Sequence, residues 1–316
     1  MRRRFATSAV VAVVLFSLAA ATCRDRSPAP KPEPTVSAAP PAPSRPPSEL
    51  LALPKKTGSV RFAAIGDAGR GDDAQYAVSA QMQTYRTVFP YDFVVMLGDN
   101  VYDGGTPQDY RLKFELPYKP LLDEGVNFYA TIGNHDDPNQ PSYAPFHMEG
   151  RRYYTFAPPS LVSRLVGASV RFFMIDTERL DREQLAWIDR EMGKSDAEWK
   201  IPIYHRPIYT SGRYASPARL LRAALEPIFL RHGVTASFSG HEHFYERTKP
   251  QHGITYFISG GAGSLRVGDI RPTPITDVGF DRDYHFMLIE IAGKELYFQA
   301  ITETGATVDQ GTVRRN

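Results

Sequence analysis

Cysteine is all but missing from this chain: among 316 residues there is one, Cys23. A single thiol cannot close an intramolecular disulfide, so burial alone must hold the core. Nor can it supply the thiolate cluster of a structural zinc site. An excess of charge of one sign is missing too. The formal net charge is +2, and Arg2, Arg3 and Arg4 alone exceed it. The rest of the chain is therefore close to neutral, with no basic run of the kind that binds nucleic acid. The chain also lacks internal repeats and any apolar run of the roughly 20 residues that a membrane-crossing helix needs.

What the first fifty residues do hold reads as processing and spacing. Met1–Phe5 is basic, Ala9 to Ala21 is apolar, and small residues precede Cys23. That is the layout of an export signal over residues 1–23. The segment resembles a bacterial lipoprotein signal, which implies that Cys23 is acylated after cleavage and tethers the protein to a membrane. Ordinary cleavage after Ala21 is the alternative, and an uncut anchor helix is a third. Either cleavage predicts an exported protein, periplasmic or on the cell envelope when lipid-anchored and otherwise secreted. Nine prolines between Pro28 and Pro47 predict an extended spacer over 24–53. Residues 54–316 are then one large α/β domain with a sizeable core.

Within that domain five short strand-like runs each end on a residue that can bind a metal. Arg61–Ile65 runs into Gly66-Asp67, and Phe93–Leu97 into Gly98-Asp99-Asn100-Val101-Tyr102. Phe128–Ile132 runs into Gly133-Asn134-His135-Asp136, Lys200–Tyr204 reaches His205, and Thr235–Ser239 reaches Gly240-His241-Glu242-His243. Buried strands of an α/β protein read as such runs, and ligands gather at their carboxyl ends. Glycine lets the backbone turn sharply off the strand. Ala74 to Val88, Leu112 to Leu122, Asp181 onward and Pro217 to Arg231 read as helices, with Asp181 a predicted N-cap. Val170–Ile175 is a further strand ending on Asp176. From Ile254 onward strands follow one another, at 254–259, 284–291, 295–301 and 306–311.

The candidate ligands are Asp67, Asp99, Tyr102, Asn134, His205, His241 and His243. If one carboxylate bridges two ions, seven residues supply four ligands to each, and Asp99, after the central run, is the natural bridge. Carboxylate, phenolate and imidazole without thiolate favour iron, manganese or zinc in an open, hydrolytic site.

These blocks resemble the metallophosphoesterase (calcineurin-like) superfamily, and Tyr102 is similar to the ligand tyrosine of its purple acid phosphatase branch. The resemblance implies a four-layer α/β/β/α sandwich, two mixed sheets flanked by helices. It implies Fe3+ at Asp67, Tyr102 and His243, and Fe2+, Zn2+ or Mn2+ at Asn134, His205 and His241, with Asp99 bridging. It implies hydrolysis of small phosphate monoesters by a hydroxide on the metals, with His135 and Asp99 as the residues that carry catalysis and His135 near the leaving group. A phosphodiesterase on the same scaffold is the alternative, and a catalytically silent, surface-tethered binding protein a further one. Asp136 is expected to orient His135 or to cap the next helix, Arg206 to reach phosphate or to form an ion pair, and Gly260–Gly263 to turn near the site rim. His147, His232, His252 and His285 are expected to be structural or on the surface, with His147 and His285 the two that could instead line the pocket.

Overall fold

The computed structural model, which describes residues 46–158 and 169–315, has thirteen strands among those residues, and the central ones are apolar runs buried on both faces. The export segment, Cys23 and the spacer up to residue 45 lie outside the described residues. β1 (Val60–Ile65), β2 (Phe93–Met96) and β3 (Asn127–Ala130) lie parallel, and β11 (His285–Ala292), β12 (Glu295–Thr302) and β13 (Thr307–Arg314) extend the same sheet antiparallel beside β1. The second sheet has β5 (Val170–Ile175), β6 (Trp199–Tyr204), β7 (Ala236–Ser239) and β9 (Thr255–Ser259) in parallel. It is edged by antiparallel β4 (Tyr154–Phe156), β8 (Tyr245–Thr248) and β10 (Thr276–Phe280). Both sheets are mixed, as the resemblance implied.

Aromatic rings join the sheets face to face. Phe62 of β1 meets Phe172 of β5 edge-on at 5.1 Å, and Phe257 of β9 meets Phe298 of β12 at 4.9 Å. Helices cover the outer faces. The helix Asp73–Arg86, capped by Asp72 through Gln75 N–H, lays Tyr85 edge-on to Phe286 of β11. The helices Arg182–Lys194 and Ala215–Arg231 bury Ile188, Met192, Leu225 and Phe229 with Phe173 and Tyr204 of the second sheet. Asp181 caps the first of these through Gln184 N–H, as its position predicts.

Several boundaries move, each for a physical reason. The helix expected over 112–122 is broken into Pro107–Tyr110, a π-turn at Arg111–Glu115 and Lys119–Asp123. Pro117 and Pro120 supply no N–H for a continuous ladder. β4, β8 and β10 carry no long apolar run and are legible only through their partners. Residues 47–53, assigned to the spacer, already pack on the body: Leu53 is buried, and Ala52 N–H donates to Gln299 Oε1 at 2.8 Å.

His285 opens β11 with its ring against Gly261, where a Cβ would lie 2.2 Å from Cε1. Burial holds this histidine down to about 4, against an ordinary value of 6.5. A ring kept neutral when folded but free to charge when unfolded costs stability as pH falls from about 6.5 towards 4, and nothing above that window. His285→Asn is therefore expected to gain about 3 kcal/mol on the wild type between pH 7 and pH 4. Urea titrations at the two pH values check this, and a difference that stays constant would mean the folded ring is charged.

Candidate metal centre

The carboxyl ends of the parallel strands of both sheets meet along one edge, and there the backbone is bent hard. Asp67, Asp99 and His241 take left-handed φ of 56°, 52° and 70°, conformations that cost a non-glycine residue about 1–3 kcal/mol and cluster at functional sites. The strain thus falls on the candidate ligands themselves, one residue beyond the glycines that sequence reasoning singled out. Two of those glycines serve close approach. A Cβ on Gly98 would sit 2.5 Å from His205 Nδ1, and one on Gly133 2.2 Å from Asp99 Oδ1.

All seven predicted ligands are brought together, in two nests. In the first, Tyr102 Oη lies 3.3 Å from Asp67 Oδ1 and 3.1 Å from His243 Nε2. Asp67, Asp99 and His243, all buried, each point one ligand atom within 4.8 Å of the others. In the second, His205 Nε2 lies 3.2 Å from Asn134 Oδ1, 3.1 Å from His241 Nδ1 and 3.4 Å from Asp99 Oδ1. Asp99 belongs to both. His205 Nδ1 donates to Leu97 O at 2.9 Å, so Nε2 turns its lone pair inward. That fixed tautomer is what a metal-binding imidazole needs.

The electrostatics are those of a site built to hold cations. Burial, then the charges of Asp67 and Asp99, push the Tyr102 phenol far above its ordinary range. Burial and the neighbouring His205 hold His241 down to about 2, so its ring is neutral. Burial alone would raise Asp67, but the hydrogen bond with His243 and the charge of His205 outweigh it and keep the carboxyl low. Oxygen and imidazole donors converging without thiolate fit hard or borderline divalent and trivalent ions.

The supporting residues are where sequence reasoning fell short. Asp136 neither orients His135 nor caps a helix. It is buried, and its Oδ1 accepts from Asn100 N–H (2.7 Å) and Val101 N–H (3.0 Å) while its Oδ2 accepts from Gly133 N–H (2.8 Å) and Asn100 Nδ2 (3.0 Å). It pins the loop after β2 to the loop after β3. His135 is held by Asp103 instead, Nδ1 to Oδ1 3.0 Å, and its ring lies over Tyr102 at 4.8 Å. That hydrogen bond, first of all, keeps the Asp103 carboxyl below its usual range. An acid directly after the candidate ligand Tyr102 was the available signal. Arg206 forms the ion pair: its Nε and Nη2 reach Glu178, and its Nη1 lies 3.1 Å from His241 Nε2. The run Gly260–Gly263 is buried beneath the Asp67 loop, where a Cβ at Gly260 would meet Asp67 Oδ2 at 2.7 Å. His285 is buried and His147 half-buried, and neither joins the nests: His147 Nδ1 faces Phe128 O at 2.9 Å.

Two stacked mixed sheets with carboxylates and imidazoles converging at one edge define a metal-dependent hydrolase. The model of the calcineurin-like phosphoesterase family matches residues 60–245. The chain is 23% identical to tartrate-resistant acid phosphatase type 5 of Rattus norvegicus over 299 residues, 81% of this chain and 91% of that protein. Its fold is similar to GAP50, the anchor in the inner membrane complex of Plasmodium (TM-score 0.72, 18% identity, 83% of this chain and 90% of that one). It is also similar to purple acid phosphatase PPD1 from yellow lupin, Lupinus luteus, seeds (TM-score 0.64, 19% identity, 84% of this chain and 55% of that one). The chain belongs to the calcineurin-like phosphoesterase family. It is a phosphoesterase, and its family implies two metal ions.

Proposed function

We propose that this chain is an exported, lipid-anchored purple-acid-phosphatase-like enzyme that hydrolyses small phosphate monoesters with two metal ions. The observation that carries the reading is the phenol of Tyr102 between Asp67 and His243, at 3.3 and 3.1 Å, in one of two nests that share Asp99. A buried phenol beside two carboxylates loses its proton only to a strongly polarising ion, and this favours ferric iron at Asp67, Tyr102 and His243. Asn134, His205 and His241 would hold Fe2+, Zn2+ or Mn2+. The relatives named tartrate-resistant and purple acid phosphatase support the same branch. When bound, such ions neutralise phosphoryl charge and lower the pKa of the attacking water. The chain's own part is to fix the donors through strained turns, to hold Asp99 in both nests, and to present His135 to the leaving oxygen.

The test is hydrolysis of matched aryl phosphate monoester and diester by the chain loaded with iron and zinc. Faster monoester turnover in acid, with a visible absorption band from the phenolate, supports the proposal. Diester preference moves the chain to the phosphodiesterase reading. Failure to bind metal at all moves it to a binding role, for which the anchor GAP50 is the precedent on this fold.

His135→Ala is expected to keep both ions and lose about 10²-fold or more in kcat on alkyl phosphates, and less on aryl phosphates, whose leaving groups need no proton. Asp103→Ala is expected to lose part of that factor in kcat with KM and metal content unchanged, because it frees the ring rather than removing it. A drop in metal content for either variant would make the pair structural.

A further inference from the structure

Next to Asn134 the surface opens into a pocket of about 250 Å³ whose lining includes Ile132, Pro138, Arg152, Asp176 and Arg179. Its charges pair off unevenly. Asp176 is buried, faces Arg152 Nε at 3.4 Å, and accepts from the backbone N–H groups of Glu178 and Arg179 at 2.8 and 3.1 Å. Glu178 is taken by Arg206 through two guanidinium nitrogens. Asp136 is used up on the loops it ties. Arg152 is steadied by Arg179 O at 3.3 Å and by Asp181 at 3.8 Å. That leaves the exposed guanidinium of Arg179, which has no salt-bridge partner among the described residues.

The pocket therefore begins at a proposed metal ligand and ends on an exposed cation whose charge is felt by Asp176 but which forms no salt bridge among the described residues, with a second guanidinium beside it. A phosphate monoester has one substituent on its phosphoryl group, so the part of a substrate that enters here is the leaving group. We infer that this pocket is a leaving-group subsite for a second anion, a carboxylate or a phosphate carried within a few bonds of the scissile oxygen and held by Arg179 and Arg152. Planar guanidinium groups match either anion through paired hydrogen bonds. The reaction itself is unchanged. Water oxygen bonds to phosphorus and the ester P–O bond breaks. The water gives one proton to solvent, and the leaving oxygen gains one from His135, which solvent restores. The inference rests on the phosphatase reading for its chemistry but not for its binding.

The experiment compares phosphoglycolate, pyrophosphate and ethyl phosphate on the metal-loaded chain, by steady-state kinetics and by calorimetric binding. Arg179→Gln is expected to raise KM and Kd for phosphoglycolate and pyrophosphate at least tenfold more than for ethyl phosphate, and Arg179→Lys, which keeps the charge without the paired hydrogen bonds, to recover only part of the loss. A response to both anions makes the subsite a general anion site, and a response to pyrophosphate alone makes it a phosphate site. Equal effects on all three compounds, or none, overturn it. If the wild type turns over none of them, yet binds the two anionic compounds through Arg179, the subsite stands and the phosphatase reading falls.

Discussion

Asp99→Ala is expected to empty both nests at once and to slow phosphate-ester hydrolysis by roughly 10³-fold or more, the rate equivalent of about 4 kcal/mol. Asp99 reaches both sets: its Oδ1 is 3.4 Å from His205, and its ligand atom lies within 4.8 Å of those of Asp67 and His243. The same oxygen accepts His135 N–H at 2.9 Å, so the loop that carries Asn134 and His135 loses an anchor as well. Asp99→Asn keeps an oxygen for that N–H but not the charge, and should retain the fold and one weakened site. Elemental analysis together with turnover separates the outcomes. Full metal content in the alanine variant would remove Asp99 from the bridging role.

The second large effect is on stability. Asp136→Ala is expected to cost about 3–5 kcal/mol in urea unfolding, since it strands several buried donors. Burial and the charge of Asp99 push this carboxyl up to about 7. Yet its two oxygens already accept four hydrogen bonds, three of them from backbone N–H groups. No lone pair remains for a proton, and we read it as ionised. Asp136→Asn retains one acceptor oxygen, and about half of the loss is expected for it. The alanine variant should also bind metal more weakly, because the loops bearing Asp99 and Asn134 are no longer tied. A loss below about 1 kcal/mol would show that water takes over the stranded donors.

The pieces that were legible in the sequence share a property: each is local. β1, β2, β5 and β6 are apolar runs of four to six residues, and each carries its signal in its own side chains. The strand Tyr245–Thr248 is half charged, yet it pairs with β9 and β10 because Glu246 is buried against Ser211 N–H and Thr276 Oγ1. No local pattern announces such a strand. The candidate ligands were legible for the same reason as the central strands, since each follows one directly. Their supports were not. Asp136 and Asp103 act across 36 and 32 residues of chain, and Arg206 reaches Glu178 across 28.

By itself, then, the sequence determined the family, the central strands and the identity of the seven candidate ligands, because apolar run, turn and donor are contiguous in the chain. The resemblance already implied two sets of donors around Asp99, and only the tertiary structure supplied the distances within each. The tertiary structure also decided that left-handed backbone falls on Asp67, Asp99 and His241 among other residues, that Asp103 rather than Asp136 holds His135, and that Arg179 has no salt bridge among the described residues. The physical reason is that hydrogen bonds and ion pairs are chosen by distance in space, and strands from two sheets must pack before those distances exist.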